Sequence, residues 1–269
     1  MRTGVGTLDP VMSQITAPDG TRISFQESGY GTPLVLVHGS FSDHRTNWKL
    51  VEPIFRDRFT VYALDRRNRG RSSASYGHSL LDEAHDIVAL LRHIGEPVFL
   101  VGHSYGAQCA LNAARIAPEC VRRLVLYEPP KPATLAPELL ETLENVAAAG
   151  DWDQFASRVF RDGLSVPGAV LDEMRASDAW RAIVADAAAT LGDLRALSRY
   201  GFAPAVYSGL FMPIALQVGT ESPRHLYVTE ALAEVLPSRT LQVLEGQAHE
   251  AMTTAPEMYA QAVLRFLRA

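Results

Sequence analysis

The chain has 269 residues, 47% of them hydrophobic and 20% charged, with 25 lysines and arginines against 30 aspartates and glutamates. That length suits one large α/β domain or two small ones, and the apolar fraction excludes a disordered, collagen-like or coiled-coil chain. A formal net charge of −5 gives no electrostatic reason to expect nucleic acid or an anionic membrane as partner, and no apolar run approaches the roughly 20 residues of a membrane span. The opening ten residues lack the apolar stretch of a secretory signal, so a cytoplasmic protein is expected. Two cysteines, Cys109 and Cys120, cannot build a disulfide framework, and no Cys/His spacing resembles a zinc site.

In chain order, a first strand core falls at 23–25, after the Pro18-Asp19-Gly20 turn. The run 33–38 is continuously apolar rather than alternating, as in a strand buried on both faces, and 60–64, 98–101, 124–127, 214–218 and 241–244 repeat that pattern. Between them, Ser79 with Asp82 three residues on forms a capping-box-like start. Leu80, Ala84, Ile87, Val88, Leu91 and Ile94 then make one apolar stripe that stops at Gly95. The alternation predicts an α/β fold with a doubly wound, mostly parallel, eight-stranded sheet and helices on both faces. Its chemistry is expected at the carboxyl ends of the strands. From 131 to 211 no strand is evident; helical segments around 138–148, 152–160, 172–175 and 179–189 read as a cap inserted before the penultimate strand. The core is expected to comprise 13–130 and 212–269, with 1–12 as a mobile tail.

Gly102-His103-Ser104-Tyr105-Gly106 sits directly after the 98–101 strand and before a helical run from 107 to 117, the strand–turn–helix context of a nucleophile elbow. Gly102 and Gly106 supply the room that a strained central residue needs, His103 shapes the turn, and the following helix N-terminus faces the serine. G-x-S-x-G by itself arises by chance in a Gly- and Ala-rich chain; the matching context on both sides is what favours a nucleophile here.

With these residues the sequence resembles the α/β-hydrolase family over most of the chain, from Ile15 to Ala269. His38-Gly39-Ser40 looks like the family's HG-x turn, which implies an oxyanion hole built from backbone N–H groups of Ser40 and Tyr105, with Phe41 as the alternative to Ser40. The run 65–72 resembles the family's D-x-R-G-x-G-x-S loop, with Asn68 where Gly is usual. The order serine, acid, histidine is also the family's.

His249 follows the last strand and precedes a C-terminal helix from 256 to 267, so it can reach a serine at the same sheet edge and take its proton. The other seven histidines read as turn-shaping or surface residues. The acid departs from the usual pattern: the position three residues after Gly219 holds Ser222. Glu128, anchored at a strand end, is favoured, and Glu221 stays as the alternative. Some family members, including certain haloalkane dehalogenases, carry the acid where Glu128 lies. Asp65 is expected to pair with Arg66, Arg67, Arg69 and Arg71 in a solvated loop.

These residues imply a serine hydrolase that cleaves a small to medium, largely uncharged ester, thioester or lactone. His249 should act in its neutral form, with an apparent pKa around 6–7. No metal or organic cofactor is called for. The expected partner is a small-molecule substrate, neither nucleic acid nor membrane, and a homodimer stays open. The rivals are a non-hydrolytic member of the same fold (a cofactor-free oxygenase, hydroxynitrile lyase or perhydrolase) and a ligand-binding receptor.

Overall fold

The computed structural model describes residues 10–75, 77–132 and 135–268. Eight strands form one sheet: β1 (Val11–Thr16), β2 (Arg22–Gly29), β3 (Thr32–Val37), β4 (Phe59–Leu64), β5 (Val98–His103), β6 (Val121–Tyr127), β7 (Ile214–Gly219) and β8 (Arg239–Leu244). Their spatial order is β1-β2-β4-β3-β5-β6-β7-β8. β2 runs antiparallel to both β1 and β4, and every other pairing is parallel. The expected tail therefore needs correcting: Val11 and Met12 already pair with Glu27 and Gln26 as the start of the edge strand, and 1–9 lie outside the described residues. Ser13, Gln14 and Thr16 interrupt the apolar residues along this half-exposed edge, which is why no apolar run marked it.

The helices are α1 (His44–Trp48), α2 (Glu52–Arg56), α3 (Leu80–Ile94), α4 (Tyr105–Ile116), α5 (Pro137–Ala148), α6 (Trp152–Arg158), α7 (Gly168–Ala176), α8 (Ala179–Ser198), α9 (Thr229–Val235), α10 (Ala251–Thr254) and α11 (Pro256–Arg268). The unbroken apolar strands are explained by two cores rather than one. On β3, Val35 and Val37 point into a cluster with α3, α4 and α9, while Leu34 and Leu36 point into a second with Trp48, Phe55 and α11. Side chains alternate faces along a strand, so a strand covered on both sides must be apolar at every position. At α3 the Ser79 hydroxyl accepts from Asp82 N, Asp82 answers the Ser79 N–H, and Gly95 closes the helix at φ 79°. Both cysteines are free thiols.

α5 to α8 lie between β6 and β7 and pack on each other through Leu143, Phe155, Val159, Ala187 and Leu191, and through Ala156, Leu171 and Trp180. Phe41, from the turn after β3, packs against both groups. α8 runs nine residues past its expected end at 189. Thr190, Gly192 and Asp193 read as a polar break, yet Thr190 and Asp193 are buried against the core, and a Cβ on Gly192 would fall 3.2 Å from His78 Cε1. Among the described residues no helix is long and apolar enough to cross a membrane.

Candidate active site

Ser104 joins β5 to α4 at φ 54° and ψ −127°, a conformation disfavoured for any residue with a Cβ. Its N–H donates to Tyr127 O at 2.9 Å, which ties the bend to the end of β6. A Cβ on Gly102 would lie 2.6 Å from Ala107 Cα, and one on Gly106 2.2 Å from His38 O, so the two glycines let strand, helix and the β3 turn close around the serine. Gly39 lies on the other side, where an added Cβ would come 3.0 Å from Ser104 Cβ.

One strand over, Glu128 follows β6 at φ 49°, fully buried. Its Oε1 accepts from Gly219 N at 2.8 Å, and its Oε2 meets His249 Nδ1 at 2.5 Å. Burial pushes this carboxyl up, but the His249 hydrogen bond and charge, with help from Ser222 and Gly219, bring it below its ordinary value. Burial pulls the His249 imidazole down, and Glu128, aided by Glu250, outweighs it and holds the imidazole above its ordinary value. Glu221, the alternative acid, is exposed beside Thr220 and makes no hydrogen bond to His249 among the described residues. Ser222, where the family's acid was sought, is buried next to Glu128.

The loop bearing His249 is fastened from several sides that sequence reasoning missed. His103 accepts no surface role: its buried ring pairs through Nε2 with His249 O at 2.9 Å and through Nδ1 with Asn47 Oδ1 at 3.0 Å. His103 also packs 4.7 Å from the His249 ring, centroid to centroid, which brings the elbow and the histidine loop together. The Tyr127 hydroxyl donates to Ala248 O, Gly219 packs under Gln247, and Tyr227 stacks on His249 at 5.4 Å and 14°. The proximity of Gly219 to Gln247 had a sequence signal, a glycine at a strand end; Asn47 and Tyr227 had none.

At the turn after β3, Tyr105 N–H occupies the first position of α4 and has no intrahelical acceptor. Phe41 N–H is taken: it donates to Thr190 Oγ1 of α8 at 2.9 Å. The Ser40 hydroxyl donates to Asp193 Oδ2, also on α8, at 2.6 Å. The arginine loop differs from expectation. Arg66, Arg67 and Arg69 are buried, not solvated, and their partners are Glu83, Asp86, Asp186 and Asp193 rather than Asp65. Asp65 instead holds His44 Nδ1 at 2.6 Å and Arg71 N at 3.1 Å. These partners are distant in sequence, Asp193 above all, so nothing local announced them. Asn68 sits at φ 68°, a left-handed conformation that Asn tolerates and that explains glycine at this position in the family's loop.

Among the described residues, two groups bring three potential metal ligands within 4.8 Å of one another: His103, His249 and Glu250, and His78, Glu83 and Asp193. In the first, both His103 nitrogens and His249 Nδ1 are engaged already; in the second, the Arg66 guanidinium sits on both carboxylates. Neither donor set suits a cation.

A model of the alpha/beta hydrolase family matches residues 34–262. Over 264 residues, 92% of either chain, the sequence is 28% identical to the 2-(acetamidomethylene)succinate hydrolase of Mesorhizobium japonicum. An alpha/beta hydrolase from Sphaerobacter thermophilus superposes with a TM-score of 0.84 at 28% identity, covering 95% of this chain and all of that one. The carboxylesterase CesB from Bacillus subtilis shares the fold at a TM-score of 0.74 and 18% identity, over 97% of this chain and 92% of its own.

Proposed function

This chain belongs to the alpha/beta hydrolase family, and we propose that it is a serine hydrolase cleaving a small to medium, largely apolar carboxylic ester, thioester or lactone. The observation that carries the proposal is the buried Glu128 bonded at 2.5 Å to His249 Nδ1, beside a strained elbow with a serine at its apex. With Nδ1 committed to the carboxylate, Nε2 is the nitrogen left to take the Ser104 proton. Ser104 Oγ then attacks the carbonyl carbon, and the oxyanion is received by the N–H groups of Ser40 and Tyr105. Collapse expels the alcohol or thiol, which takes the proton from His249, and leaves an acyl group on Ser104. Water, deprotonated by the same imidazole, releases the acid. Serine at the elbow supports acyl chemistry over the epoxide or haloalkane chemistry associated with aspartate there.

Two features favour a neutral substrate. Arg66 and Arg69, the guanidiniums nearest the turn, are already engaged by Asp193, Glu83 and Asp186, and Phe41 stacks on Phe160 at 5.0 Å where the cap meets that turn. The test is turnover of p-nitrophenyl acetate by the wild type and by Ser104→Ala. The variant should keep its thermal unfolding midpoint and lose activity by a factor on the order of 10⁴ or more; an unchanged kcat rejects the mechanism.

A further inference from the structure

We propose that the oxyanion hole is set by the cap: Asp193 and Thr190 of α8 are positioning residues that fix the direction of the Ser40 N–H. The proposal rests on the acyl-enzyme reading above and adds to it what holds the hole in shape.

The geometry runs through one peptide plane. In a trans peptide the carbonyl and the N–H point in opposite directions, so whatever grips Gly39 O aims the Ser40 N–H the other way. Three donors grip Gly39 O: His38 Nδ1 at 2.8 Å, Ser42 Oγ at 3.1 Å and Arg66 Nη2 at 3.1 Å. The same Arg66 Nη2 donates to Asp193 Oδ2 at 2.7 Å. Asp193 thus holds the guanidinium that holds the carbonyl, and its Oδ2 also accepts from the Ser40 hydroxyl at 2.6 Å. The next peptide is tied to the same helix, because Phe41 N–H donates to Thr190 Oγ1 at 2.9 Å. Thr190 is suited to accept there, since its own hydroxyl hydrogen is directed to Asp186 Oδ2 at 3.0 Å.

The turn needs these ties. Phe41 stands at φ 55°, and a non-glycine residue in that region is strained and persists only where its surroundings over-determine it. Its surroundings are largely cap: Thr190 at its N–H, Phe160 stacked on its ring and Phe155 at 6.4 Å. Asp193 is fully buried, and although burial pushes its carboxyl up, Arg66 and Arg69 hold it far below the usual range. It is therefore ionised, and its hold on Ser40 and Arg66 persists across the working pH range. Undocking the cap would release the Ser40–Phe41 turn together with its oxyanion donor.

The experiment compares wild type with Thr190→Val, Thr190→Ser and Ser40→Ala, all of which keep the Arg66–Asp193–Arg69 ion pairs, and adds Asp193→Asn. The readouts are kcat and KM for p-nitrophenyl acetate and the inhibition constant of a trifluoromethyl ketone. That ketone adds reversibly to the serine and places an oxyanion where the transition state has one. Losing an oxyanion donor outright costs 10²–10³ in rate, so a turn released on one side should lose about tenfold. Thr190→Val and Ser40→Ala are expected to lower kcat about tenfold, with KM within about twofold. They should weaken the ketone by the same factor as kcat/KM, because both report on the transition state, and Thr190→Ser should restore both. Wild-type kcat and ketone binding in Thr190→Val and Ser40→Ala would overturn the proposal, as would a loss confined to KM. These variants decide the matter whether or not Asp193→Asn folds. A wild type without Ser104-dependent ester turnover would instead overturn the parent reading.

Discussion

Glu128 is a buried charge whose every oxygen is answered, one by the Gly219 N–H and one by the His249 imidazole, and that arrangement fixes what its replacement should do. Glu128→Gln keeps the volume and the Gly219 contact but removes the charge that opposes burial at His249. The neutral imidazole is the active form, so kcat/KM in the wild type should rise with pH through an apparent pKa above the ordinary value of about 6.5. In Glu128→Gln that midpoint should move down, since burial, which disfavours the imidazolium, is then opposed by the Glu250 charge without Glu128, and kcat should fall by about 10³–10⁴. Glu221→Gln, at an exposed loop position, should change kcat less than twofold. A pH–rate series on the three proteins checks all of this, and equal small losses in both variants would remove Glu128 from the mechanism. Ser104 and His249 are legible through local context: a glycine-flanked bend in one case, the loop after the last strand in the other. The same context favours Glu128 for its anchored strand end but leaves Glu221 open as the alternative, because what separates them is tertiary. Gly219 N–H and His249 arrive from 91 and 121 residues away.

At the scale of elements, the two glycines of the elbow and the cap of α3 make opposite predictions. On Gly106 a methyl group would meet His38 O at 2.2 Å and Val37 O at 2.6 Å, both backbone atoms at the end of β3 that cannot swing aside. Gly106→Ala should therefore push α4 off the sheet, at a cost of roughly 1–3 kcal/mol. The melting temperature should fall by several degrees, at about 2–4 °C per kcal/mol for a chain of this class, with much of the activity lost because Ser104 moves with the helix. Ser79→Ala removes only the hydroxyl that caps α3, worth about 1 kcal/mol, and should lower the melting temperature by about 2–4 °C with kcat unchanged. Calorimetry paired with ester turnover separates the two. α3 was legible end to end because its start, stripe and stop are all local signals. α8 was cut short at 189 and the first two residues of β1 were placed in the tail, for one reason: each is marked by polar residues whose partners lie elsewhere. Thr190 and Asp193 are polar yet buried, satisfied by Phe41, Ser40, Arg66 and Arg69, and β1 is a half-exposed edge strand paired with β2.

Across the whole molecule the buried ionisable groups pull stability in opposing directions as pH changes, and their balance can be worked out. His38 and His103 are buried, and their imidazoles are held well below the usual range. As pH falls below about 6.5 the unfolded chain protonates these two and the folded chain does not, so each lowers stability with added acid. Asp86 and Asp186 act the other way. Burial pushes both up to about 6, so between about 6 and 4 the folded chain takes up protons that the unfolded chain does not, and stability rises with acid. Two groups against two leave that window nearly level. Below about 4 the balance ends, because Glu83, Glu128 and Asp193, opposed by burial but held down by their Arg66, His249 and Arg69 partners, stay ionised in the fold while the unfolded chain protonates. Their contribution is fully present above about 4 and is lost as pH drops through their lower folded values. His78 and His249, both raised above 6.5 by Glu83 and Glu128 against the pull of burial, contribute stability below 6.5 that fades as pH climbs through their folded values. Urea midpoints measured from pH 3 to 8 should thus be nearly constant between about 4 and 6, fall steeply below 4, and decline gently above 6.5. A midpoint that falls steadily from pH 6.5 to 4 would mean that Asp86 and Asp186 remain charged beside Arg67 and Arg69 throughout that window.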